Sequence, residues 1–471
     1  MKSIDQPFNQ TTKTFIITHR TLSVFLLVGI SIISGILLFV VPPVLVLGVV
    51  FGILLCFFIL ASPFLGLLIY FATFVVQPGA LFPALSVLHA ERAFGVLVLL
   101  SMLLKIKFRK VRLSFVHNPI NYILLAFLGV MGLSVFTSFW PTQSVNATID
   151  FAKILVFYFL IANLLNNQKR LRIFVWEYIL LIGWVAVSSL EGYFSGNIQF
   201  AQGIERAQGI TGSDPNSLAV TLALATPFIW YILFAEKSKW LKLLGIGVLI
   251  ASLYTIILTG SRSAILGLVT IVFLVWIRSR RKFVSLVIAL LIVTITWIVM
   301  PEQYKGRYRT ILSSTYGEID DSSQGRIKAW KAGVRMIFDR PVLGVGAGAF
   351  GTAHATGYTP EGKRQSWLQP HNVYIQLLAE LGVLGFVIFS ALICTIIRHN
   401  MKLQKTLRDG SKKKNWNYYL STAMMTSLGT LFVTGIFGHS LYRLNWYFIA
   451  ALTVVLVDFA SKETDLAHSP R

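Results

Sequence analysis

A histidine stands at the start of an apolar run, directly after the one long polar stretch of the chain. This stretch covers residues 301–370, and His371 and Asn372 follow it. Imidazole titrates near neutral pH and can act as a general acid or base. A polar residue at a helix start can equally be a cap or a buried hydrogen-bonded group. The nearest following acid, Glu380, falls on the opposite side of a helix, so a partner of His371 must come from elsewhere in the fold.

Arg262 is the first cation that could complement this histidine. It lies in a short polar break, Gly260-Ser261-Arg262-Ser263, between two apolar runs. An arginine at membrane depth costs roughly 2.5 to 3.5 kcal/mol and usually faces a cavity, a partner or an anion. The neighbouring backbone N–H groups could hold phosphate oxygens. The alternative is a side chain that reaches out to the lipid headgroups.

Residues 324–338 have the spacing of an amphipathic helix. The apolar face holds Ile327, Trp330, Val334, Ile337 and Phe338, and the basic face holds Lys328, Lys331 and Arg335. Such a helix could lie on the outer leaflet or pack on a transmembrane bundle. Arg326, near the helix start, lies off the basic face and is the better candidate for a specific contact.

Two further loops carry candidate residues. Residues 341–351 contain a formal GxGxxG, but no βαβ unit surrounds it, which favours tight turns over nucleotide binding. Asp214 and Asn216 flank Pro215 at the start of another apolar run, where either could simply cap a helix. Arg206 precedes them in the same loop.

The composition predicts a polytopic membrane protein to hold these residues. Of 471 residues, 55% are hydrophobic and 13% are charged. Cys56 and Cys394 lie inside apolar runs, without metal-binding spacing. Apolar runs of spanning or near-spanning length occur near residues 22–40, 44–60, 62–76, 93–104, 120–138, 151–165, 173–190, 217–234, 241–258, 263–277, 283–300, 373–397, 419–437 and 444–459. We therefore expect an all-α bundle of about 12 to 14 transmembrane helices.

The basic residues predict the orientation of this bundle. With the N-terminus in the cytoplasm, 27 of the 42 lysines and arginines fall in cytoplasmic segments, as the positive-inside rule requires. The net charge of +23 therefore does not indicate nucleic-acid binding. We expect one integral membrane domain over residues 1–471, with cytoplasmic N- and C-termini and an outer loop at 301–370.

Several of these motifs resemble a known family in order and spacing. His371-Asn372, followed after nine residues by Gly382 and Gly385, resembles the pattern His-[Asn/Ser/Gln]-x9-Gly-x-x-[Gly/Thr/Tyr] of bacterial O-antigen ligases. Motifs similar to the wider superfamily of O-antigen ligases and Wzy-type polymerases are residues 209–216, 260–262, Gly325-Arg326 with Trp330, and 341–350. The resemblance covers residues 200–400.

The resemblance implies a membrane glycosyltransferase of the GT-C-like class. It would take a glycan from undecaprenyl diphosphate on the periplasmic side of the bacterial inner membrane and transfer it to a hydroxyl of lipid A core, a growing polysaccharide or a protein. In this family the loop histidine is held to be catalytic and outer arginines to bind the diphosphate. These roles carry over to His371 and to Arg262, Arg326 and, less directly, Arg206. Supporting residues would be Asn372, Ser261, Asp214, Asn216, Gly346 and Gly348.

The chemistry of these residue types agrees with the resemblance. Diphosphate is a good leaving group, so the enzyme mainly neutralises its charge and positions the acceptor. Arginine binds phosphate bidentately, and His371 could take the acceptor proton, which makes direct displacement inverting. The outer acids Glu318, Asp320 and Asp321 fit a solvated loop better than a magnesium site. We therefore expect a mechanism without metal or cofactor.

Two other functions stay open on the sequence alone. A transporter of a small anion such as bicarbonate is one, although the apolar runs carry few ionisable groups near their middle. A non-catalytic scaffold of polysaccharide assembly is the other. If the chain is a transferase, residues 351–367, with His354, Tyr358, Lys363, Arg364 and Trp367, could form an acceptor-side surface.

Overall fold

Helices form where the sequence is apolar, because a backbone in lipid must satisfy its polar groups internally. The computed structural model describes residues 43–81, 90–107, 118–201, 203–210, 212–309, 321–359, 364–409 and 415–468. Every predicted run beyond residue 43 coincides with a helix, and the run at 22–40 lies outside the described residues. In chain order the helices are α1 Pro43–Ala61, α2 Pro63–Val76, α3 Pro78–Leu81, α4 Ala90–Lys107, α5 Pro119–Ser134, α6 Pro141–Leu164, α7 Gln168–Phe194, α8 Pro215–Ala235, α9 Lys239–Leu258, α10 Arg262–Arg278, α11 Lys282–Val299, α12 Glu302–Arg309, α13 Asp321–Asp339, α14 Phe350–Gly357, α15 Val373–Asp409, α16 Trp416–Gly435 and α17 Leu444–His468.

Seven of the described helices are long and apolar enough to cross a membrane. They are α5 with its 3-10 extension to Thr137, α6, α7, α8, α9, α15 to Arg408 and α17 to Lys462. The predicted all-α polytopic membrane bundle is thus confirmed. The expected number of 12 to 14 includes shorter apolar helices, such as Gly52–Ala61 within α1 and all of α2.

Buried aromatic rings and interhelical hydrogen bonds hold the bundle together. Helix α8 packs against α9, α10 and α16, and α15 packs against α5, α16 and α17. Phe71 stacks on Phe174 with ring centroids 5.1 Å apart. Ser427 of α16 donates to the Leu224 carbonyl of α8 over 2.9 Å. Since lipid chains are themselves apolar, close packing and such hydrogen bonds drive helix association in the bilayer.

Helix α15 is broken at Gly382, which has φ 63° and ψ −164°. Residues 341–348 form the glycine-rich segment, and its residues 341–346 lie in the break. A Cβ on Gly382 would come within 2.3 Å of the Val342 carbonyl oxygen, so only glycine allows this approach.

The glycine-rich segment replaces the helical hydrogen bonds that the break removes. Four bonds join the two backbones: Val345 and Gly346 donate to the carbonyls of Ala379 and Glu380 (2.8 and 3.1 Å), and Val383 and Leu384 donate to those of Pro341 and Val342 (2.8 and 3.3 Å). Irregular backbone at membrane depth is tolerated where protein satisfies it in this way. These four hydrogen bonds therefore hold the first part of α15 against the polar stretch of residues 301–370.

A small hairpin completes the polar side of the bundle. Strands β1 (Ile198–Ala201) and β2 (Ile204–Ala207) pair antiparallel, with Gln199 opposite Arg206. The Tyr304 hydroxyl of α12 donates to the Glu205 carbonyl over 2.8 Å. This contact packs α12 on the strand that carries Arg206.

Candidate functional site

Helix termini bring the predicted site residues together. Asp214 is the N-cap of α8, Arg262 is the first residue of α10, and His371 precedes α15. Asp214 lies near enough to attract Arg206 and His371, whereas Arg262 repels Arg206 and Arg326 repels the protonated form of His371. One histidine, one carboxylate and three arginines from four separate parts of the sequence therefore form one continuous cluster.

His371 has an unusual backbone conformation. Its φ of 41° lies in the left-handed region, which costs on the order of 1 to 3 kcal/mol and is typical of functional sites. The Asn372 side-chain oxygen accepts from the N–H groups of Tyr374 and Ile375 over 2.9 and 3.1 Å. Asn372 thus caps α15 and leaves the His371 side chain for other contacts.

Trp330 ties the histidine to helix α13. Its Nε1–H donates to the Pro370 carbonyl, directly before His371, over 2.7 Å. Arg326 lies one helical turn before Trp330 on α13. This hydrogen bond therefore fixes the position of His371 relative to Arg326, whose charge affects the histidine.

A second histidine faces His371. His439, in the loop between α16 and α17, lies with its ring centroid 4.7 Å from that of His371, at an interplanar angle of 76°. The two Nδ1 atoms are 3.3 Å apart. Such a separation allows one hydrogen bond between the rings.

Both imidazoles lie outside the membrane-spanning helices and have lowered pKa values. Burial, then the charge of Arg326, lowers the pKa of His371 below its usual 6.5, and Asp214 opposes this shift. Burial, then His371 and Arg443, lowers the pKa of His439 to about 4. Both rings are therefore neutral near pH 7, the state in which a histidine can accept a proton.

Arg206 is 4% exposed and already has protein partners. Its Nε–H donates to the Thr259 carbonyl over 2.6 Å, and one Nη donates to Asn216 over 2.9 Å. Burial lowers the pKa of Arg206, and the carboxylate of Asp214 opposes that shift. Arg206 thus joins the turn before α10 to the start of α8, and a diphosphate contact would have to use its other N–H groups.

The turn before Arg262 differs from the prediction in one respect. The N–H of Gly260 donates to the Ile257 carbonyl over 3.0 Å, and that of Ser261 donates to the Thr259 hydroxyl over 3.2 Å. The expectation that these two groups are available to phosphate is therefore wrong. Ser261 is buried and bonds Ser263 through its hydroxyl, so it shapes the turn that ends at Arg262.

Asp214 has the capping role considered from the sequence. Its carboxylate accepts from the Ser217 N–H over 2.9 Å. Asn216 links this carboxylate to Arg206, because its Nδ2 lies 3.3 Å from Asp214 and its oxygen accepts from the arginine.

The predicted supporting glycines, Gly346 and Gly348, lie at the helix break. Gly346 and Gly348 both have positive φ, as the tight-turn interpretation requires. The Gly348 N–H donates to the Glu380 carboxylate over 2.9 Å. Glu380 is 1% exposed and also accepts from the Tyr442 hydroxyl over 2.8 Å. This buried carboxylate therefore connects the glycine-rich segment to the loop that carries His439.

The predicted acceptor-side surface is only partly accessible. His354 is 5% exposed, with its Nδ1 2.6 Å from the Ser366 carbonyl oxygen, so it holds the loop together. Trp367 and Arg364 are exposed, and Lys363 lies outside the described residues. Burial and a hydrogen bond to Asp339 raise the pKa of Tyr358 to about 12.

The amphipathic helix is present as α13, but a different face is buried. Ala329, Ala332, Gly333 and Met336 pack inward, whereas Ile327, Val334 and Phe338 are exposed. Small residues allow α13 to lie close to α15, with Gly333 against Ile375. The helix therefore packs on the bundle by its small side chains.

Within the described ranges, no group of three or more His, Cys, Asp or Glu residues could hold a metal ion. Glu318 and Asp320 lie outside those ranges, and Asp321 begins α13.

Residues 247–390 match the family model described as O-Antigen ligase. The match includes Arg262, Arg326 and His371, whereas Arg206 and His439 lie outside it. The predicted resemblance to the O-antigen ligase-like superfamily is thereby confirmed. No curated protein matches the chain significantly. Residues 247–390 are thus similar to O-antigen ligases, within a chain whose described helices fit a multi-pass membrane protein.

Proposed function

We propose that the chain transfers a glycan from undecaprenyl diphosphate to an acceptor hydroxyl on the periplasmic side of the inner membrane. The observation that carries this proposal is the cluster of a neutral His371 with Arg206, Arg262 and Arg326. A base beside several cations suits a reaction that removes one proton and releases a diphosphate leaving group that gains a negative charge.

The proposed reaction is a direct displacement. The acceptor hydroxyl gives its proton to Nε2 of His371, because Nδ1 of that ring faces His439. The acceptor oxygen bonds to the anomeric carbon of the donor sugar as the bond from that carbon to the phosphate oxygen breaks. Undecaprenyl diphosphate leaves with the bonding electrons, and the anomeric configuration inverts.

Arg262 and Arg326 are proposed to hold the diphosphate. The guanidinium group binds phosphate oxygens in a bidentate manner and stays charged throughout the working pH range. With cations assigned to the leaving group, the mechanism needs no metal. Arg206 would orient the Arg262 turn through Thr259 and contribute charge.

A transferase assay with purified protein in proteoliposomes tests the proposal. His371→Ala should lower transfer from the lipid diphosphate donor by about 10²- to 10⁴-fold, the usual contribution of a positioned base. Transfer at the normal rate by this variant would contradict the catalytic role and favour a scaffold. The product's anomeric configuration, read by NMR, should be opposite to that of the donor.

The broken helix α15 is the feature that most favours the transporter alternative, because transporters use broken helices at their binding sites. Here, however, four backbone groups at the break bond to the glycine-rich segment, and Glu380 is bonded to Gly348 and Tyr442. We therefore favour the transferase. Anion flux in the same proteoliposomes, retained in His371→Ala, would support the alternative.

A further inference from the structure

The loop between α16 and α17 is fastened to the helix that follows His371. The Leu441 N–H donates to the Gln376 side chain over 3.3 Å, and the Tyr442 hydroxyl donates to Glu380 over 2.8 Å. Gln376 and Glu380 lie in the first turns of α15. His439 and His371 are therefore held by one frame, and their contact follows from that attachment.

The chemistry of the pair restricts where its protons lie. Two Nδ1 atoms 3.3 Å apart share one hydrogen, which resides on either His371 or His439. If His439 donated, neutral His371 would carry its own proton on Nε2 and could not accept one there. If His371 donates, its Nε2 is bare and faces away from the partner ring.

The surroundings of His439 favour the acceptor role. Burial, His371 and Arg443 lower its pKa to about 4, against a smaller opposing effect of Asp214. His371 is flanked by Arg326 and Asp214. His439 therefore stays neutral when His371 gains a proton, and a neutral imidazole can keep one nitrogen free as an acceptor.

We propose that His439 is a positioning residue that accepts the Nδ1–H of His371 and so keeps Nε2 of His371 available as the base. This inference rests on the proposed function, because it assigns a partner to the proposed base. When Nε2 takes the acceptor proton, His371 becomes an imidazolium whose Nδ1–H still bonds His439. His439 itself neither gains nor loses a proton in the step.

Three substitutions at His439 separate this role from packing. His439→Leu removes the acceptor and should lower kcat about 10- to 100-fold, less than loss of the base itself, with donor KM little changed. His439→Asp places an acceptor-only oxygen near the Nδ1 position and should retain more activity than His439→Leu. His439→Asn supplies an oxygen without charge and should fall between wild type and His439→Leu.

The pH profile gives a result that packing alone would not produce. The negative charge in His439→Asp should raise the pKa of His371, so the acid limb of the kcat profile should move to higher pH. In His439→Asn, which is uncharged, the limb should move less. Equal losses in all three variants, or a fully active His439→Leu, would overturn the inference.

Chemical modification of His371 tests the pairing with His439 independently of the proposed transfer activity. The rate at which diethyl pyrocarbonate modifies His371, followed by peptide mass spectrometry against pH, measures its pKa without any transfer reaction. It should titrate at higher pH in His439→Asp than in wild type, and an unchanged titration would refute the pairing. If that shift occurs while His371→Ala still transfers glycan normally, the pairing stands and only the catalytic role fails.

Discussion

Arg326 has two separable effects on the site, one on the donor and one on His371. Its charge lowers the pKa of His371. The base form exists above that pKa, so Arg326→Ala should raise the pKa and move the acid limb of the activity profile to higher pH. Loss of a charge-assisted phosphate bond should also raise donor KM by roughly 10- to 100-fold. Steady-state kinetics between pH 5 and 8 measure both effects.

Lysine at the same position separates charge from geometry. Arg326→Lys keeps the charge, so its acid limb should stay close to that of wild type, while its donor KM should recover only partly. Lys331→Ala, at an exposed cation on the same helix, is the matched control and should change neither quantity. Full recovery of donor KM in Arg326→Lys would argue against bidentate binding.

Residue type and position are enough to single out Arg262 and His371 as candidates in the sequence, and their roles stay predictions. An arginine in a membrane break and a histidine at a helix start are visible in one sequence, and the structure places Arg262 and His371 in one cluster. His439 lies 68 residues from its partner in a short loop with no distinctive neighbours. Only the folded loop, fastened through Leu441 and Tyr442, brings it to His371.

At the scale of elements, the break in α15 should be disrupted by the single methyl group that Gly382→Ala adds. Gly382→Ala forces an L-residue into a backbone conformation that is essentially confined to glycine, at about 1 to 3 kcal/mol, and drives its Cβ against the Val342 carbonyl at 2.3 Å. The glycine-rich segment should then separate from the helix. We expect a thermal midpoint several degrees lower, together with a loss of activity, because His371 lies just before α15.

Gly129→Ala on α5 is the control for that substitution. Helix α5 packs against α15, and a Cβ on Gly129 meets nothing within 4 Å. Alanine in a helix is favoured over glycine by roughly 0.5 to 1 kcal/mol, so this variant should be as stable as wild type or slightly more so. Equal thermal midpoints for the two variants would mean that the break does not need glycine.

The helices could be read from the sequence because their apolar runs are long, whereas the break could not. Gly382 lies in a run that reads as one continuous helix, and the residues that fill the break lie about 40 positions earlier. The buried face of α13 escaped prediction for a related reason. Close approach to α15 selects small residues such as Ala329 and Gly333, which apolar periodicity alone does not reveal.

At the scale of the whole molecule, the charge count predicts which side of the membrane the site occupies. The cluster around His371 and the segment near Lys405 should lie on opposite sides, since the positive-inside rule places residues 398–414 in the cytoplasm. Cysteine labelling tests this after removal of Cys56 and Cys394. Thr356→Cys and Lys405→Cys use exposed positions. A membrane-impermeant maleimide should label the first in intact spheroplasts and the second only after permeabilisation. The reverse pattern would place the arginine cluster in the cytoplasm and contradict a periplasmic transferase, whatever the effect of His371→Ala.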